Sequence, residues 1–192
     1  MFLGTLVLSG CSPGLDWREV RAAQGRVVAL FPCKPKAQDR VLPVAAGADW
    51  PATLQVCDAQ DMTFAVLTLT RPEVSTAPST APSMAPSTAP STVPSSVPVV
   101  DLASARSGLQ RSAVQRWGPI EADPGVPAGL KLPTAIVPHW QRHRRSGSDG
   151  RSTETLALFF EHQGSALQIT LSGSRLDPAV AEAFFAGLRL EP

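Results

Sequence analysis

Apolar and polar positions alternate in short blocks along most of this chain, and two stretches break into helical spacing. Leu15–Val20 alternates, which is the mark of a half-buried strand. Arg26–Phe31 is a compact β-branched and aromatic run, a second strand, closed by Pro32 and Pro35. Arg40–Val44 predicts a short strand, and Gly47–Pro51 a turn that carries Trp50. Ala52–Cys57 and Met62–Thr70 predict two more strands, joined by the polar turn Asp58–Asp61. The first part of the chain therefore reads as an antiparallel meander. Val100–Trp117 is helical: Leu102, Ala105, Leu109, Ala113 and Trp117 form one stripe at a spacing of three to four, and Asp101 stands at the N-cap position. Gly118-Pro119 ends it.

The distal part carries a loop over Glu121–Pro133, a short strand over Thr134–Val137, and two hairpins. His139–Arg145 turns at Ser146–Gly150 into Arg151–Glu161, whose centre is strongly apolar. His162-Gln163-Gly164 then turns the chain into the alternating strand Ser165–Ser172. Asp177-Pro178 opens a short helix that packs through Ala181, Phe184, Phe185 and Leu188. These elements predict an α+β fold: a curved antiparallel sheet covered by two helices.

One tract has no place in that pattern. Residues 75–98 repeat Ala-Pro-Ser-Thr with a period of four and carry no charge. Such a composition cannot bury enough surface to offset chain ordering, so a disordered loop with polyproline II bias is expected. It interrupts one domain rather than joining two, and is read as a repeat expanded within a tolerant loop. A spacer or a ligand for a proline-binding domain is the other reading.

The N-terminus supplies an address. The apolar run Phe2–Leu8 leads into Leu8-Ser9-Gly10-Cys11, an apolar residue and two small residues before a cysteine, the pattern of a bacterial lipobox. This predicts a signal peptide over 1–10, lipidation of Cys11, a tether over 11–14, and a single domain over 15–192. No Lys or Arg precedes Cys11, whereas secretory signals carry a basic segment, so an upstream start is expected. The alternative is an N-terminal strand with an ordinary cysteine. With Cys11 lipidated, Cys33 and Cys57 remain as a pair that an oxidising compartment would bridge. Two reduced thiols are the alternative; a zinc site lacks the ligand spacing.

Several phrases carry a resemblance. Ala29-Leu30-Phe31-Pro32-Cys33-Lys34-Pro35, Leu15-Asp16-Trp17-Arg18-Glu19-Val20, Cys57 before Thr63-Phe64-Ala65, and the closing Ala-Phe-Phe-Ala-Gly-Leu-Arg-Leu resemble a family of uncharacterised, betaproteobacterial-type lipoproteins. More distantly, the order of elements resembles the PsbP/DcrB-like α/β sandwich. The resemblance implies a periplasmic domain but no activity. Ser12 after the cysteine, by resemblance to lipoproteins of Gram-negative bacteria, implies the outer membrane.

Charge and chemistry narrow the function. A net charge of +1 gives no basis for nucleic-acid binding, and the chain has no Tyr and four Trp, too few for aromatic platforms. Arg142-His143-Arg144-Arg145 is the one basic cluster, a candidate anion-binding edge or simply a solvated hairpin edge. His139 and His143 are spaced for a metal only on a helix, which Pro138 opposes. Glu154 and Glu161 stand at odd spacing on one strand, hence on opposite faces. No nucleophile elbow, phosphate loop or CxxC pair is present. No catalytic residue, metal or cofactor is predicted. The expectation is a non-enzymatic, lipid-anchored binding or envelope-associated protein with the membrane, and an envelope protein, as partners. The alternatives are a small-ligand or anion-binding module using the concave sheet face, and, more remotely, an unrecognised hydrolase.

Overall fold

The computed structural model describes residues 15–44, 48–72, 101–148 and 150–192. The lipobox with Cys11 and the Ala-Pro-Ser-Thr tract lie outside the described residues. The strands are β1 (Arg18–Ala22), β2 (Val27–Phe31), β3 (Lys36–Val44), β4 (Ala48–Ala59) and β5 (Met62–Thr70), then β6 (His139–Ser146), β7 (Ser152–His162), β8 (Ser165–Gly173) and β9 (Arg189–Leu190). The helices are α1 (Leu102–Trp117) and α2 (Pro178–Ala186).

The α+β class holds, but the strands divide into two antiparallel sheets. β1, β2 and β9 form a three-stranded sheet; the other six form a sheet in the order β3-β4-β5-β8-β7-β6. The meander expected for the first part of the chain is thus limited to β3-β4-β5. Pro32 and Pro35 stop β2 from running on, and between them the chain crosses from the small sheet to the large one. A disulfide between Cys33 and Cys57 fastens that crossing to β4.

The pleat sorts the large sheet into two apolar faces. Leu156, Leu158 and Phe160 of β7 and Leu167, Ile169 and Leu171 of β8 point into one core with β2 and α2. Phe184 of α2 is its wedge, 5.8 Å from Phe31 of the small sheet and 5.2 Å from Phe64 of the large one, ring to ring. Ala157 and Phe159 point the other way, into a second core with Trp50, Leu69 and the α1 residues Ala105, Leu109 and Ala113. The two helices therefore cover opposite faces, and the small sheet shares one of them. α1 packs on β7 and β8 and also reaches both edge strands, β3 and β6, so the sheet curls around it. That face is concave.

Both helix starts are as expected. Asp101 accepts from the Ser104 amide at 2.7 Å, which holds its carboxyl below the usual carboxylate range. Asp177 accepts from Ala179 at 2.8 Å, with Pro178 in the first turn. Three segments differ. Trp50 is inside β4, not in a turn: its indole is buried on the concave side, opposite Leu42. Pro51 is tolerated there because β4 gains its second partner only from Ala52 onward. Thr134–Val137 is not a strand. Pro133 and Pro138 bracket it, and it turns instead, with the Ile136 amide on the Pro133 carbonyl at 2.9 Å. Leu130, Leu132 and Ile136 pack this loop on the core. Finally, Arg189–Leu190 adds a short strand beside β2 that alternation over two residues does not announce.

Candidate functional site

The basic cluster is split by the pleat. Arg142 and Arg144 point to one face of β6, and His143 and Arg145 to the other. Each finds a protein partner. Arg142 donates to the Pro124 carbonyl at 2.9 Å. Arg144 pairs with Glu154 at 2.6 Å and Glu121 at 3.5 Å. Arg145 donates to the Arg116 carbonyl at the end of α1, at 2.9 Å. His143 is fully buried, with Nδ1 2.8 Å from the Gly118 carbonyl and Nε2 3.2 Å from the Gln141 carboxamide. A carbonyl only accepts, so Nδ1 donates to Gly118. The four residues anchor α1 and the Pro-rich loop to β6 rather than converge on one point.

Glu154 and Glu161 are on opposite faces, as their spacing requires. Glu161 pairs with Arg106 at 2.9 Å in a cleft of about 380 Å³ that also holds His139. Burial pushes the His139 imidazole below its ordinary pKa, the Arg106 charge adds to this, and Glu161 opposes it. The cleft has an acid and a base but no nucleophile, and its carboxylate is committed to Arg106. Among the described residues no group of three or more His, Cys, Asp or Glu is placed to hold a metal.

A polar cleft of about 440 Å³ opens between the two sheets. Register sets Asp39, Thr53 and Thr68 side by side across β3, β4 and β5, and Thr53 donates to Asp39 at 2.8 Å. Gln55 donates its Nε2 to the Arg21 carbonyl at 2.9 Å, while its buried Oε1 has no partner. The facing turn holds Ala23 and Gln24 at φ 49° and 58°, ahead of Gly25 at 89°. Non-glycine residues in this region cost about 1–3 kcal/mol each. The signal for this cleft was present in Met62–Thr70, whose inward positions change from Met62, Phe64 and Val66 to Thr68 and Thr70.

The concave face holds an apolar opening. A groove of about 290 Å³ lies between α1 and the sheet, lined by Leu42, Leu67, Leu69, Leu109, Ala113 and Trp117, with Gln168, Ser112 and Arg116 as its polar groups. An apolar recess with a few polar groups at its margin is the usual form of a small-ligand site. Sequence periodicity named the α1 stripe but not the groove, because the groove depends on how the sheet curls.

No family model, no curated protein and no solved structure matches this chain. Among the described residues no helix is long and apolar enough to cross a membrane.

Proposed function

We propose that this chain is a non-catalytic ligand-binding domain of the bacterial envelope, lipid-anchored through Cys11, with its ligand seat on the concave face under α1. The observation that carries the reading is the groove between α1 and the curled sheet, apolar in its walls and polar at its margin. A flat patch would have favoured a protein partner instead. The Cys33–Cys57 bridge supports the address, because structural disulfides persist in oxidising compartments. The lipobox and the resemblance to uncharacterised proteobacterial lipoproteins agree with it and favour the periplasmic side of the outer membrane. The concave face gains weight over the Arg142–Arg145 edge as the seat, since those three guanidinium groups already hold protein acceptors.

The test is mass spectrometry of the protein extracted from its native membrane. Under denaturing conditions the expected species begins at Cys11, carries acyl mass, and gains two hydrogens on reduction. Under native conditions a small-molecule adduct is expected to leave on unfolding. A soluble, unmodified chain beginning at Met1 would refute the address. Absence of any adduct, together with no stabilisation by a metabolite library, would refute the binding reading.

A further inference from the structure

We propose that the concave face takes the alkyl chain of a single-chain anionic amphiphile; this rests on the binding reading above and names the ligand class. The groove continues beyond α1. Register sets Leu54 opposite Leu67 and Val56 opposite Ala65, four half-buried aliphatic side chains on the concave face of β4 and β5. α1 packs chiefly on β7, β8 and the two edge strands, so this strip lies beside the helix rather than beneath it. Leu67 belongs to both strip and groove, which makes one apolar track.

The recess of about 290 Å³ is open at one side and has room for part of an alkyl chain. A sugar or a peptide would leave its polar groups unpaired against Leu42, Leu67, Leu69 and Leu109; an alkyl chain leaves none.

Charge selects the head group. Arg116 on α1 lines the groove. Its side chain forms no ion pair with another described residue. Asp58, the acidic residue near the strip, accepts a hydrogen bond from Thr63 at 2.6 Å. An anionic head next to Arg116, with the tail along the track, uses both features.

The experiment titrates the folded, unlipidated domain with hexanoate, octanoate, decanoate and dodecanoate below their aggregation concentrations. Binding is read by Trp fluorescence and by amide NMR shifts. Affinity is expected to rise about fourfold per methylene, the factor for burying one CH2, and to level off once the recess is filled. Ser112→Phe fills the recess from the exposed side of α1 and is expected to abolish binding with the fold intact by circular dichroism. Arg116→Gln is expected to weaken decanoate about fivefold, an upper value for an exposed ion pair, and to leave decanol unchanged. Affinity independent of chain length, or equal effects of Arg116→Gln on decanoate and decanol, overturns the proposal. If decanoate fails while a different small molecule shifts the groove amides, the ligand class falls and the binding reading stands. If nothing in a fragment library shifts them, both fall.

Discussion

The indole of Trp117 lies 5.6 Å from the imidazole of His143, ring centre to ring centre, with the planes inclined by 57°. One is the last residue of α1 and the other is buried in the edge strand β6. Gly118, at φ 90°, turns the chain there, and its carbonyl meets the His143 ring nitrogen. The end of the helix is thereby pinned to the sheet edge, and the same indole walls the groove between α1 and the sheet. Trp117→Ala is expected to cost about 2–3 kcal/mol through lost packing. His143→Ala, which leaves the Gly118 carbonyl without its donor, is expected to cost about 2 kcal/mol. Urea titrations of the two variants check this. Losses under ~0.5 kcal/mol, the level of an ordinary surface change, would show that α1 is held elsewhere.

The Cys33–Cys57 bridge predicts a second loss. It spans 24 positions and joins the crossover after β2 to β4, so it restrains the two sheets together. Closing a loop of this length removes about 3.5 kcal/mol of chain entropy from the unfolded state. The double variant Cys33→Ser, Cys57→Ser is expected to lose about 3 kcal/mol in denaturant titration. Reductant should bring the parent chain to the same midpoint and leave the variant unmoved. A parent chain insensitive to reductant would mean that the bridge does not form in solution.

The same crossover marks where the sequence stopped being readable. Local rules located most strands, both capped helices and the hairpin turns, because alternation, Asp at the N-cap and Gly after the turn all act over a few residues. They did not say that β1 and β2 leave the main sheet. That partition is decided by Phe184, which sits between Phe31 and Phe64 and needs all three elements in place. Trp50 differs for a related reason: Gly47 and Pro51 carry turn chemistry in the sequence, but the burial of the indole opposite Leu42 holds β4 extended from Ala48 onward. The candidate site was least visible. Leu54, Val56, Ala65 and Leu67 read as ordinary strand alternation, and only the curl of the sheet about α1 leaves them beside an opening.

Gln55 carries a prediction of opposite sign. Its Nε2 bond to the Arg21 carbonyl stabilises by about 1 kcal/mol, whereas the buried, unpaired Oε1 costs about 1–3 kcal/mol. Gln55→Leu removes both, puts an apolar side chain opposite Val66, and leaves the carbonyl of exposed Arg21 to water in the open cleft. The variant is expected to be as stable as the parent or more stable by about 1 kcal/mol, measured as the shift in denaturation midpoint. A clear destabilisation would show that Oε1 finds a water donor in solution.

His139 makes stability depend on pH. Its pKa is lowered chiefly by burial, then by Arg106, with Glu161 acting against both. The unfolded chain regains the ordinary value near 6.5. Between that value and the lower folded one, the unfolded state binds a proton that the folded state refuses. Unfolding therefore becomes easier as pH falls through this window. Above about pH 6.5 the group is neutral in both states and contributes no slope. His139→Gln is expected to remove this part of the acid sensitivity, so the stability difference between parent and variant should change across the window and be flat above it. Arg106→Gln should raise the His139 titration midpoint toward the ordinary value, since it removes the neighbouring cation, although it also frees the Glu161 carboxylate, which acts in the same direction. NMR titration of the imidazole reads both effects. A midpoint at or above the ordinary value in the parent chain would contradict the half-buried setting of this ring, and with it the account of the Arg106–Glu161–His139 cleft.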